Sequence, residues 1–172
     1  MTLYVNTDGG SRGNPGPAGY GVVITDGDGS LVMEIAAFIG TATNNVAEYS
    51  AVVDALETIA AHHGDERVVV RADSKLVVEQ LSGRWKIKNP SMQELARRAT
   101  KALPRHRVTF QWVPRAQNAA ADKLANEAMD SQKSRRTGTL PGGAASAKEA
   151  PPSAPAPQPA QTATEWDSDT LF

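Results

Sequence analysis

Apolar residues change their period along the first 130 positions, and each change falls at glycine or proline punctuation. Thr2 to Thr7 alternates polar and apolar side chains, which predicts a strand with one buried face. "AGYGVVITD" (18–26) and "LVMEIAAFIG" (31–40) predict two more strands joined by the turn "GDGS". From Asn45 to Ala61 the apolar positions Tyr49, Val52, Val53, Leu56, Ile59 and Ala60 recur at helical spacing. "RVVVRA" (67–72) is short and β-branched and predicts a buried strand. Leu76–Leu81 predicts a short helix. Met92, Leu95, Ala96, Ala99, Ala102 and Leu103 lie on one face of a longer one. "RVTFQWV" (107–113) predicts a fifth strand, and Asn118–Met129 a closing helix with Ala121, Leu124, Ala125 and Ala128 on one side. Three consecutive strands suit an antiparallel meander and the later alternation suits parallel pairing. An α/β domain over 1–130, with a mixed five-stranded sheet carrying helices, is the economical solution.

The pattern stops near Met129–Arg136. Residues 131–172 open into "TGTLPGGAASAKEAPPSAPAPQPAQTAT", which has no apolar period and cannot bury enough surface to offset its ordering entropy. It is expected to be a disordered Pro/Ala-rich tail or linker. The closing "EWDSDTLF" is acidic with aromatic ends. It reads as a docking peptide for another protein, or as the stub of a linker to a further domain.

Composition narrows the chemistry. The 172 residues contain no cysteine, which excludes disulfides and thiolate metal sites. No basic-then-apolar leader opens the chain, and no run approaches the roughly 18 apolar residues of a membrane helix. A cytoplasmic protein without a membrane partner is expected. Lys and Arg total 18 against 19 Asp and Glu, but the charges are segregated. Between Arg84 and Arg115 stand nine basic residues and the single acid Glu94. That local excess suggests a polyanionic partner.

Four acids occupy the ends of predicted elements: Asp8 after the first strand, Glu48 in the first turn of the first long helix, Asp73 after "RVVVRA", and Asp122 early in the last helix. Each alone reads as a turn residue, a cap or a favourable first-turn acid. Together they fall where strand and helix ends of an α/β sheet converge. Oxygen ligands without His or Cys suit Mg²⁺ or Mn²⁺. Two such ions roughly 4 Å apart are the usual arrangement for in-line phosphoryl displacement.

The stretches "TDGGSRGNPGPAGYG", "TNNVAEYSAV", "ADSKLVVEQLSGRWKIKN" and "WVPRAQNAAADKLANEAMD" resemble type 1 ribonuclease H, and most of all the N-terminal ribonuclease H domain of actinobacterial ribonuclease H/acid phosphatase proteins. The resemblance covers about residues 1–130. It implies strand order 3-2-1-4-5, with the first three antiparallel and helices on both faces, and a monomer. It also implies an endonuclease that hydrolyses the RNA strand of RNA–DNA hybrids with two Mg²⁺ (Mn²⁺ able to substitute), leaving 5′-phosphate and 3′-hydroxyl ends. Asp8, Glu48, Asp73 and Asp122 match the family's metal-binding carboxylates. Asn14, Asn44 and Asn45 match contacts to the minor groove and 2′-hydroxyls. Thr43 and Asn89 match a pocket for a DNA-strand phosphate, and Trp85, with Lys86 and Lys88 beside it, matches the DNA-strand channel.

The chain departs from the family pattern in places. The family's histidine shortly before the last aspartate is absent; Arg115 stands nearest, and His62, His63 and His106 lie elsewhere. Arginine cannot serve as a general base, so Arg115 is left with binding phosphate or stabilising charge. "SGRWKIKNP" is too short for the extra basic helix of some members. Thr41 stands where some members carry arginine. Two alternatives remain: a hybrid-binding module without activity, and another nuclease of the same fold.

Overall fold

The structure is a computed structural model that describes residues 1–62 and 64–140. Strand β1 (Thr2–Ser11) buries every second residue from Leu3 to Gly9, as its alternation predicts. It lies at the centre of the sheet, antiparallel to β2 (Gly16–Thr25) and parallel to β4 (Arg67–Ala72). β3 (Leu31–Ala42) pairs antiparallel with β2, and β5 (Val108–Trp112) parallel with β4. Helices α1 (Asn44–Ala61), α2 (Lys75–Leu81) and α3 (Pro90–Ala102) contribute to the larger core, with Leu3, Val5, Val22, Val52, Leu56, Val70 and Val77. α4 (Ala119–Ser131) covers the other sheet face, setting Ala121, Leu124 and Ala128 against Val23 and Ala36. The expected order is found, with helices on both faces. Among the described residues no helix is long and apolar enough to cross a membrane.

One addition corrects the expected five strands and the boundary at residue 130. A sixth strand, β6 (Arg135–Gly138), pairs antiparallel with β3, giving the order β5-β4-β1-β2-β3-β6. Gln132 ends α4 in the left-handed conformation (φ 54°), which turns the chain back toward the sheet. Arg136 then grips both carboxylate oxygens of Asp54, at 2.8 and 2.7 Å, while Arg135 holds Glu127. Leu140 is buried in the larger core. The domain therefore extends at least to residue 140, and residues 141–172 of the expected tail lie outside the described residues.

Candidate active site

Sheet register brings the first two acids together. Thr7 and Ala72 are the last partners of the parallel β1–β4 pair. The next residue on each strand is Asp8 and Asp73, so the two carboxylates emerge side by side where the strands part. Asp8 therefore lies inside β1, which continues to Ser11, and does not close it as the sequence suggested. Asp73 directly follows β4, and its carbonyl accepts a hydrogen bond from Trp112 Nε1 at 3.2 Å.

Two glycines seat the helices that carry the other acids. A Cβ on Gly9 would stand 2.4 Å from the Ala47–Glu48 peptide, so only glycine lets α1 approach β1 this closely. Glu48 sits in the second turn of α1, against the expected first turn, so its burial toward β1 rather than the helix dipole explains its place. Gly21 is the register partner of Asp8 on β2, and a Cβ there would meet the Ala121 carbonyl at 2.2 Å. That contact sets Asp122, in the first turn of α4, over Asp8. Buried Asn118 fixes the same helix start: its Nδ2 donates to the Thr7 carbonyl at 2.8 Å, and its Oδ1 accepts from Asn6.

The resulting electrostatics are strained. Burial pushes the Asp8 carboxyl up to about 8, aided by the charge of Asp73 and by a hydrogen bond and charge from Asp122. Burial also raises Glu48 to about 7; the Ser74 hydroxyl opposes the shift and Asp73 adds to it. Among the described residues no three acidic or histidine side chains are gathered tightly enough to enclose a cation as they stand. The contacts run pairwise, with Asp8 at their centre. Thr7, Asp8, Glu48, Ala72, Asp73, Ser74 and Val77 line a small cavity at this point. Its acidic donors are carboxylate oxygens, without thiolate or imidazole, and their mutual repulsion is the kind that a hard divalent cation relieves.

The polar residues expected to meet a substrate fall into two groups. Beside the acids, the Asn44 side chain donates to Glu48 Oε1 at 3.4 Å, and the Asn44 backbone N–H donates to Asn14 Oδ1 at 3.1 Å. Thr43 caps α1, and Asn45 is exposed in its first turn. Arg115 reaches Asp122 at 3.3 Å from a 3-10 turn. In the second group, Trp85 is 46% exposed on a loop with exposed Lys86 and Lys88. Gln80 and Gln93 pin this loop through the Lys86 and Ile87 carbonyls, and Asn89 caps α3. The basic stretch is less free than its composition suggests. Arg84, Arg97, Arg98, Arg107 and Arg115 each pair with an acid, leaving Lys86, Lys88, Lys101 and Arg105 without such a partner among the described residues. Sequence reasoning missed Ser74 and Asn118. It also gave no role to Trp112, which is 52% exposed beside Asp73.

A family model described as "Reverse transcriptase-like" matches residues 6–128. The ribonuclease H of Methylococcus capsulatus is 34% identical over 141 residues, covering 75% of this chain and 90% of that protein. The chain belongs to the ribonuclease H family. The bifunctional protein Rv2228c of Mycobacterium tuberculosis is 50% identical over 132 residues, or 76% of this chain. The match takes in 36% of that relative, so this ribonuclease H chain spans about a third of its length. The crystal structure of LC11-RNase H1 in complex with RNA/DNA hybrid superposes with a TM-score of 0.71 at 44% identity, covering 76% of this chain and 99% of that one. The ribonuclease H fold is thus present, carrying a sixth edge strand in this chain.

Proposed function

We propose that this ribonuclease H domain hydrolyses the RNA strand of RNA–DNA hybrids, with two divalent cations, Mg²⁺ with Mn²⁺ able to substitute, held by Asp8, Glu48, Asp73 and Asp122. The observation that carries the reading is the convergence of Asp73 and Asp122 on half-buried Asp8, with Glu48 alongside. Bound cations at such a site supply charge neutralisation at the phosphate and polarisation of the attacking water. In the hydrolysis, water oxygen bonds to phosphorus and the bond to the 3′ oxygen breaks. The 3′ oxygen leaves with a proton, giving a 5′-phosphate and a 3′-hydroxyl.

The chain's own residues bind and orient. Asn44, tied to Glu48, and Asn14 and Asn45 nearby offer amide donors and acceptors, which suit base edges and the 2′-hydroxyl that distinguishes RNA from DNA. Thr43 and Asn89 stand at the N-termini of α1 and α3, where backbone N–H groups favour a phosphate. Trp85, Lys86 and Lys88 present a ring and two cations, neither paired with an acid among the described residues, to the DNA strand. Arg115 neutralises charge near Asp122 and takes no proton, in place of the absent histidine. Cleavage of end-labelled RNA–DNA, RNA–RNA and DNA–DNA duplexes in Mg²⁺ tests the reading. Cutting confined to the RNA of the hybrid is expected; cutting of DNA duplex or of neither strand overturns it.

A further inference from the structure

A cavity of about 260 Å³ opens between α2, α3 and β5, and it shares no residue with the carboxylate site. Leu56, Leu81, Leu103 and Phe110 line it together with the basic residues Arg84 and Arg105. Arg84 is paired with Glu79, whereas Arg105 has no acidic partner among the described residues. The volume lies below the roughly 300–1,000 Å³ of small-molecule sites, a size for one or two large side chains. Its occupant should therefore carry bulky apolar side chains next to acids.

We propose that the segment Glu165–Phe172 of the same chain docks here. "EWDSDTLF" places Trp166, Leu171 and Phe172 around Glu165, Asp167 and Asp169, with no basic residue. Leu171 and Phe172 fill the cavity, and the aspartates meet Arg105. The connection suffices: residues 141–164 form 24 links rich in Ala and Pro. Such a chain spans up to roughly 80 Å extended, and about 25–30 Å as a coil. A domain of this size has a radius of gyration of only about 14 Å, so every face is within reach. Tethering gives an effective concentration on the order of millimolar, so a contact of two apolar side chains and two charges is populated without high intrinsic affinity. The proposal does not depend on hybrid cleavage, since the two sites are separate.

The absence of cysteine makes the test direct. Ser168→Cys in the full chain carries a single nitroxide, and amide signals are compared with the label oxidised and reduced. Ser82, Thr100 and Thr109, which also line the cavity, should lose most of their intensity while amides on α4 keep theirs. Arg105→Glu and Phe172→Ser, each added separately, should restore the lost signals, with unchanged shifts elsewhere showing that the domain stays folded. No localised loss, or loss centred on another face, overturns the proposal. Loss in an isotope-labelled chain mixed with a separate spin-labelled chain also overturns it, because a second copy then supplies the segment.

Discussion

Replacing Asp8 with asparagine removes the most strained charge in the molecule while keeping its shape. The folded carboxyl titrates at about 8, against 3.8 when unperturbed. The folded state therefore binds the proton more tightly than the unfolded state across that window, and stability falls as pH rises from about 4 to about 8. Each pKa unit is about 1.4 kcal/mol, so the whole shift is an upper bound of about 5–6 kcal/mol. Asp8 is only partly buried and shares its titration with Asp73 and Asp122, and solvent screening reduces the expected gain for Asp8→Asn at pH 8 to about 1–3 kcal/mol. In a domain of this length that is a rise in Tm of roughly 4–12 °C, shrinking toward zero near pH 4. Mg²⁺ should act in the opposite sense. At a hundred times its Kd, a bound cation adds about 2.7 kcal/mol to the parent and much less to the variant. Calorimetric melting of both proteins from pH 4 to 8, with and without Mg²⁺, measures all of this. A variant less stable than the parent at pH 8 without metal would refute the crowding argument.

Three further outcomes follow from the packing and the surface. Gly9→Ala forces the α1 backbone away from β1 and should cost about 1–3 kcal/mol, with hybrid cleavage falling as Glu48 is displaced; thermal melting and turnover read both effects. Ending the chain after Arg136 removes half of β6 and buried Leu140, which should cost about 2–3 kcal/mol and several degrees of Tm, whereas ending it after Leu140 should forfeit only the smaller stabilisation given by the docked Glu165–Phe172 segment. Neutralising Lys86 and Lys88 to glutamine should raise KM and lower the slope of log K against log[salt] by up to about two, while Trp85→Ala weakens hybrid binding with the slope intact.

Most of the frame was legible because burial writes its period into the chain: alternation in β1, helical spacing in α1 and α3, and a β-branched run in β4. The candidate acids stood out because three of them sit close to turns and helix starts, where a carboxylate is not needed for packing. β6 was hidden for a physical reason. "RRTG" has no apolar face, and its pairing depends on an open β3 edge and an Arg136–Asp54 contact across 82 residues. The basic stretch misled in the opposite direction. Composition counts charges, whereas Arg98–Glu57 and Arg107–Glu66 are long-range pairs that only the fold creates. The seating of Glu48 and Asp122 by Gly9 and Gly21 was likewise invisible, since a glycine in a strand does not announce which backbone approaches it.

The central claim is that Asp8, Glu48, Asp73 and Asp122 hold the cations for the hydrolysis, and Asp73→Asn examines it with the least disturbance. Hybrid Kd and single-turnover cleavage in Mg²⁺ are measured for the full chain and this variant. Loss of one ligand charge should cost at least about 4 kcal/mol of transition-state stabilisation, a fall of about a thousandfold or more in rate, with Kd within a few-fold of the parent. Cleavage by the variant at the parent's rate would contradict the account.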